Sequence, residues 1–240
     1  MASYPGRGVH GHTVELLGAR IVSGEVTEGE LLDPRALAAE LDISLTVVRE
    51  AMKALAGKGL IAARQKHGTF VRPYRDWNLF DADVIRWSTA GADGARLLRD
   101  LAEVRAIVEP AAARHAALRR RPEDLAALDT ALARMAAAGG DAAAAAAADA
   151  EFHRALLRAT GNDMLARMDL LLEPGLRERD LIVHAGQDVD DPVPSHRAVA
   201  DAIAAGDAEG AGDAMTALLR RAAEDLRRAS DGGGGDTGSA

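Results

Sequence analysis

The stretch SLTVVREAMKALAGKGLIAARQKHGTFV, Ser44 to Val71, decides how the first part of the chain is read. Val48, Ala51, Met52 and Leu55 recur at spacings of three and four, so they share one face of a helix that Ser44 caps and Gly57 and Gly59 end. Leu60–Ala63 and Thr69–Val71 are short β-prone segments joined by the turn-like Arg64-Gln65-Lys66-His67-Gly68, which predicts a tight two-stranded ribbon. The stretch holds all three lysines of the chain. From Ser44 to Arg75 there are seven basic residues, Arg49, Lys53, Lys58, Arg64, Lys66, Arg72 and Arg75, against the single acid Glu50, in a chain of net charge −8. A polyanion is the partner such a patch suits.

Working outward, Val14, Leu17, Ile21 and Val22 predict a first helix over about 12–23, stopped by Gly24. Asp33 and Pro34 form a cap and first-turn pair for a second helix that ends near Asp42. Three helices and a hairpin in this order make a winged helix-turn-helix. On its third helix Thr46, Arg49 and Lys53 lie opposite the apolar face. A helix fits the DNA major groove, so Arg49 is the leading candidate for a base contact there. Lys66 and His67 at the ribbon tip, with Gly68 allowing close backbone approach, suit phosphate or the minor groove. The alternative is that these charges form only a solvated face.

Beyond Asn78 the periodicity is helical throughout. Leu97, Leu101, Val104, Ile107 and Val108 make a long stripe with Pro110 within it, and Leu125 to Met135 follow. The alanine run from Asp141 to Ala150 reads as helix, since alanine is the best helix former and Asp141 caps. Met164 to Leu172 make another helix, and Val199 to Leu226 mark the last two. The fold expected is mainly α: a flexible N-terminus over 1–11, a winged helix-turn-helix over 12–76, an all-α helical-bundle domain over 77–229 and a disordered tail over 230–240. Residues 1–76 carry 10 basic and 9 acidic side chains, and 77–240 carry 19 and 28, so the acidity belongs to the second part.

The absence of cysteine excludes disulfides, thiolate metal sites and a cysteine nucleophile. No apolar run approaches the roughly 20 residues that cross a bilayer, and MASYPGRGVHGH lacks the apolar core of a signal peptide. A cytoplasmic protein without membrane contact is expected.

Leu37-Ala38-Ala39-Glu40-Leu41, Val48-Arg49-Glu50-Ala51, Leu55, Gly59-Leu60-Ile61 and His67-Gly68-Thr69-Phe70-Val71 resemble, in order and spacing, the DNA-binding domain of GntR-type bacterial transcription regulators. That resemblance implies DNA contacts at Arg35, Thr46, Arg49, His67 and Gly68, and with Ser44, Lys53, Lys66 and Thr69 beside them these are the expected DNA-binding residues. The family commonly has arginine where this chain has Leu45, which suggests a different operator and a leucine able to meet a thymine methyl.

In the second part, Asp149 and His153 stand one helical turn apart on one face. Such a pair is either a surface ion pair or two ligands of a metal, with His196 as a third, and mixed imidazole and carboxylate suits zinc, nickel or manganese. Arg105 sits in an apolar helix and needs an anion, either Glu109 one turn on or the carboxylate of a ligand. Leu101–Arg105, Glu109-Pro110, Asp149-x-x-x-His153, Gly161-Asn162, His196 and Gly206-Asp207 resemble the FCD ligand-binding domain of the FadR-like GntR subfamily. By that resemblance Arg105 and Asn162 are expected to bind the effector, while Asp149, His153 and His196, with Leu218 in place of the usual fourth ligand, either hold a metal that a carboxylate effector completes or belong to a metal-free pocket.

The segment Asp76-Trp77-Asn78-Leu79-Phe80-Asp81 to Trp87 is like subfamily members that answer to sugar acids. The resulting expectation is a homodimeric repressor, not an enzyme, released from operator DNA by a small carboxylate, a sugar acid or related organic acid. An activator or effector-independent DNA binder is the alternative, and a metal-dependent enzyme fused to a DNA-binding domain a lesser one.

Overall fold

Side-chain oxygens mark the starts of several helices in the computed structural model, which describes residues 8–65, 67–91, 94–184 and 191–232. Helix α1 spans Val9–Val22, strand β1 Leu31–Leu32, α2 Pro34–Glu40, α3 Leu45–Gly57, β2 Ile61–Arg64 and β3 Gly68–Val71. A 3-10 turn at Tyr74–Asp76 leads to α4, Ala82–Thr89. Asp33 accepts from the Arg35 amide, Ser44 from Val47, and Asp81 from Asp83 and Val84, each satisfying amides that a helix start leaves unpaired. Between α2 and α3 Asp42 takes φ 51°, a left-handed conformation that aspartate tolerates in a tight turn.

The sheet has three strands in the order β1-β3-β2, antiparallel throughout, where the sequence suggested two. Helix α1 starts at Val9, inside the stretch 1–11 expected to be flexible; residues 1–7 lie outside the described residues. Gly59, at φ 79°, is required twice over. It turns left-handed, and a Cβ there would stand 3.0 Å from the Asn78 nitrogen and the Asp76 carbonyl.

The chain divides into two compact units, 1–95 and 96–240. The expected boundary at 76/77 thus falls within the first unit, and the reason is α4. Val84 and Trp87 join the core built by Leu17, Ile21, Val48, Leu55 and Val71. Trp87 lies so close to α1 that a Cβ on Gly18 would be 2.5 Å from its ring. Glu15 then binds both neighbours on α4, accepting from Trp87 Nε1 at 2.9 Å and from Arg86 Nη2 at 2.6 Å. Lys58 reaches Asp81 and Asp83 at 2.9 and 2.7 Å.

The second unit is helical among the described residues: α5 Gly94–Arg119, beginning at the division, then α6 Pro122–Ala137, α7 Ala142–Ala159, α8 Asp163–Ala166, α9 Asp169–His184, α10 Val193–Ala205 and α11 Ala208–Gly232. The alanine run is α7, and Asp141 caps it by accepting from Ala143 and Ala144. Small residues let helices approach: Ala113, Ala116 and Ala117 of α5 pack with Leu128, Leu132, Phe152, Ile203 and Met215. The helix expected over 164–172 is divided between α8 and α9. Helix α11 continues to Gly232, into the tail expected to be disordered, and residues 233–240 lie outside the described residues.

Candidate functional site

In the first unit, α3 separates its faces cleanly. Val48, Ala51, Met52 and Leu55 are buried, while Thr46, Arg49 and Lys53 are exposed. Arg35 and Arg49 have no ionic partner among the described residues, whereas Lys53 is held by Glu50 at 2.8 Å. Ser44 uses its oxygen to cap α3. His67 and Gly68 are exposed at the ribbon tip with Thr69 half-buried behind them, and Lys66 lies outside the described residues. The basic patch is partly compensated: Lys58 is committed to Asp81 and Asp83, and Arg72 lies 3.4 Å from Asp76.

In the second unit, α7 presents Asp149 and His153 inward, where α10 adds His196; all three are buried, and one ligand atom of each lies within 4.8 Å of the others. The Asp149 and His153 pair is therefore no surface ion pair. His196 Nδ1 lies 2.8 Å from the Pro192 carbonyl and so carries the proton. Its Nε2 lies 2.9 Å from Asp149 Oδ1, and neither that nitrogen nor Asp149 Oδ2 has a hydrogen-bond partner among the described residues. With the proton on Nδ1 two electron-rich atoms meet in a buried place, a juxtaposition that a second ring proton or a bound cation relieves. The donor set, two imidazoles and a carboxylate, fits a divalent transition metal, while Leu218, expected in place of a fourth ligand, is buried in the core.

Arg105 projects from α5 onto this cluster. Its Nε donates to Glu109 Oε1 at 2.8 Å and its Nη2 lies 2.9 Å from His153 Nε2, while His153 Nδ1 is 2.8 Å from Glu109 Oε2. Burial alone would push the Glu109 carboxyl up, but the Arg105 and His153 charges and their hydrogen bonds hold it at about 2. Burial likewise opposes charge on both His153 and Asp149, yet Glu109 and Asp149 raise the His153 pKa overall, and the neighbouring His153 holds the Asp149 carboxyl well below the usual range. Sequence reasoning named Glu109 only as a partner for Arg105. Its bond to His153, 44 positions away, has no local signal.

Beside the cluster, α5, α9 and α11 line a cavity of about 230 Å³ that opens to solvent past the exposed Thr216 and Arg220. Arg105, Arg179 and Arg220 line it; Arg179 also lies 3.9 Å from Asp149 Oδ2. Neither Arg179 nor Arg220 was foreseen. Asn162, expected to bind effector, does not line the cavity. Its Oδ1 caps α8 by accepting from Met164 and Leu165 amides, a task that fully explains a polar side chain after Gly161.

Residues 10–71 match the model for bacterial regulatory proteins of the gntR family, and residues 100–221 match the FCD domain. The chain is 32% identical over 214 residues to the galactonate operon transcriptional repressor of Escherichia coli K12, covering 88% of this chain and 93% of that one. The chain belongs to the GntR family. This GntR regulator is also 31% identical to LutR of Bacillus subtilis, over 83% of its own length and 92% of LutR. In fold it is similar to Lar of Listeria monocytogenes, with a TM-score of 0.66 at 18% identity, covering 92% of this chain and 98% of the other. As a GntR regulator with an FCD domain, it binds DNA through its first unit and a small-molecule effector through its second. The family consists of transcription regulators, which sets aside the metal-dependent enzyme. No helix among the described residues is long and apolar enough to cross a membrane.

Proposed function

We propose that this GntR regulator is a homodimeric, cytoplasmic repressor whose two winged helices grip the half-sites of an operator and which a small carboxylate releases. The DNA contacts proposed are Arg35, Ser44, Thr46, Arg49, Lys53, Lys66, His67, Gly68 and Thr69. The exposure of Thr46 and Arg49 and the lack of an ionic partner for Arg49 support the recognition face. A single winged helix offers a small interface, so useful specificity requires two at fixed spacing, which supports the dimer. Operator DNA as partner supports the cytoplasmic location.

The observation that carries the effector reading is the cavity's chemistry: three arginines and no acidic side chain in its lining. Guanidinium groups hold carboxylates by paired hydrogen bonds. Relatives named for the galactonate operon and the L-lactate dehydrogenase operon support an organic acid. Asp149, His153 and His196 would hold a divalent metal beside it, supplying positive charge to the same anion. Effector and operator must then weaken each other by the same factor.

The test is an operator shift assay on DNA flanking the gene, titrated with sugar and organic acids with and without zinc. Release by at least one acid is expected. Operator affinity unchanged by every acid would leave an effector-independent DNA binder instead.

A further inference from the structure

The cavity walls narrow the effector further. We infer that the ligand is a carboxylate with an apolar body, an aromatic or aliphatic acid, and not a polyhydroxylated sugar acid; this rests on the carboxylate-effector reading above. Leu98, Leu101, Leu176, Leu219 and Leu226 make most of the wall, joined by alanines. Apart from the three guanidiniums, Thr216 is the sole polar side chain in the lining, and its hydroxyl already donates to the Gly212 carbonyl at 2.9 Å. Guanidiniums donate and never accept. Among the lining side chains only the Thr216 oxygen can still accept, so all but one of the hydroxyl hydrogens of a sugar acid meet leucine and alanine, and each buried hydroxyl left without a partner weakens binding by about tenfold or more.

Size agrees. An apolar cavity of about 150 Å³ takes benzene. At about 230 Å³ this one has room for a ring or short chain together with its carboxylate, a body of about six to nine carbons. The charged end is also assigned. Arg105 is neutralised by Glu109 and Arg179 approaches Asp149, whereas Arg220 has no ionic or hydrogen-bond partner among the described residues. Arg220 joins Arg105 in holding the carboxylate while the apolar body packs on the leucines.

Calorimetry on the full chain with phenylacetate, octanoate, phenylacetamide and D-galactonate, each with and without zinc, tests this. Phenylacetate and octanoate are expected to bind at least about tenfold more tightly than galactonate, consistent with loss of one or more hydroxyl partners. Ala223→Phe fills the cavity from α11 without removing a polar group. It is expected to abolish their binding while keeping the wild-type melting temperature, and Arg220→Gln to weaken the acids but not the amide. Tighter binding of galactonate, in either metal state, would overturn this inference and leave the carboxylate reading standing. Undiminished binding in a folded Ala223→Phe protein would overturn the choice of cavity. If no acid binds, or the amide binds as well as the acid, the carboxylate reading itself falls.

Discussion

Arg105 Nη2 lies 2.9 Å from His153 Nε2, so a guanidinium stands at the nitrogen through which that imidazole would bind a metal. His153 Nδ1 faces Glu109 and cannot substitute. Arginine and metal therefore compete for one nitrogen. Arg105→Met is expected to bind zinc about tenfold more tightly than the parent in calorimetry, since a charge-assisted hydrogen bond no longer has to be broken. Equal or weaker affinity would mean that the guanidinium does not guard the site.

Zinc should also stabilise the second unit. A ligand at 100 times its dissociation constant adds about 2.7 kcal/mol to the folded state. Melting temperature is expected to rise with zinc and fall back with a chelator, and Asp149→Asn should lose that response. A response retained in Asp149→Asn would place the ion elsewhere.

On the DNA side, Arg49→Ala should cost about 1–3 kcal/mol of operator affinity while leaving the melting temperature unchanged. Lys53→Ala should cost less, because Glu50 already holds that ammonium at 2.8 Å. Filter binding across a salt series separates the two; equal losses would contradict the unequal pairing of their charges.

The ion triad of Lys58, Asp81 and Asp83 predicts a pH dependence for the first unit. Burial opposes charge on both Lys58 and Asp83, yet hydrogen bonds and mutual attraction prevail, raising Lys58 and lowering Asp83. The Asp83 contribution is complete above its ordinary value of about 3.9 and is lost as pH falls through the depressed value. The Lys58 contribution is complete below its ordinary value of about 10.4 and is lost as pH rises through the raised one. Lys58→Met should destabilise the unit by about 3 kcal/mol at neutral pH and flatten the acid limb of a melting-temperature profile. An acid limb as steep as the parent's would exclude this pair as its source.

Gly18→Ala tests the seat of Trp87. The added methyl would stand 2.5 Å from the indole, an overpacking that costs about 1–3 kcal/mol and outweighs the roughly 1 kcal/mol that alanine gains in a helix. A lower melting temperature with altered tryptophan fluorescence is expected. A stabilised protein would show that the ring has room to retreat.

What could be read in the sequence was local. Caps at Asp33, Ser44 and Asp141, and the stripe Val48, Ala51, Met52, Leu55, announce their elements within a few residues. Strand β1 escaped because two leucines cannot show alternation, and its partner Phe70 lies 39 positions on. Helix α4 was visible as a helix but assigned to the wrong unit, since periodicity reports an apolar face and not what it meets. The Asp149 and His153 spacing was legible as a pair. Arg179 and Arg220 reach the cavity only through the packing of α9 and α11, which no pattern within either helix encodes. Asn162 reads two ways because a helix cap and a ligand contact call for the same side chain.

The clasp of Glu15 on Arg86 and Trp87 sets a rule for anyone exchanging reading heads between such regulators. A chimera joined after the wing, near residue 76, would strip α1 of its cover and leave Gly18 facing water. The transplantable piece is the first 95 residues, and Glu15, Gly18, Arg86 and Trp87 must come from the same parent.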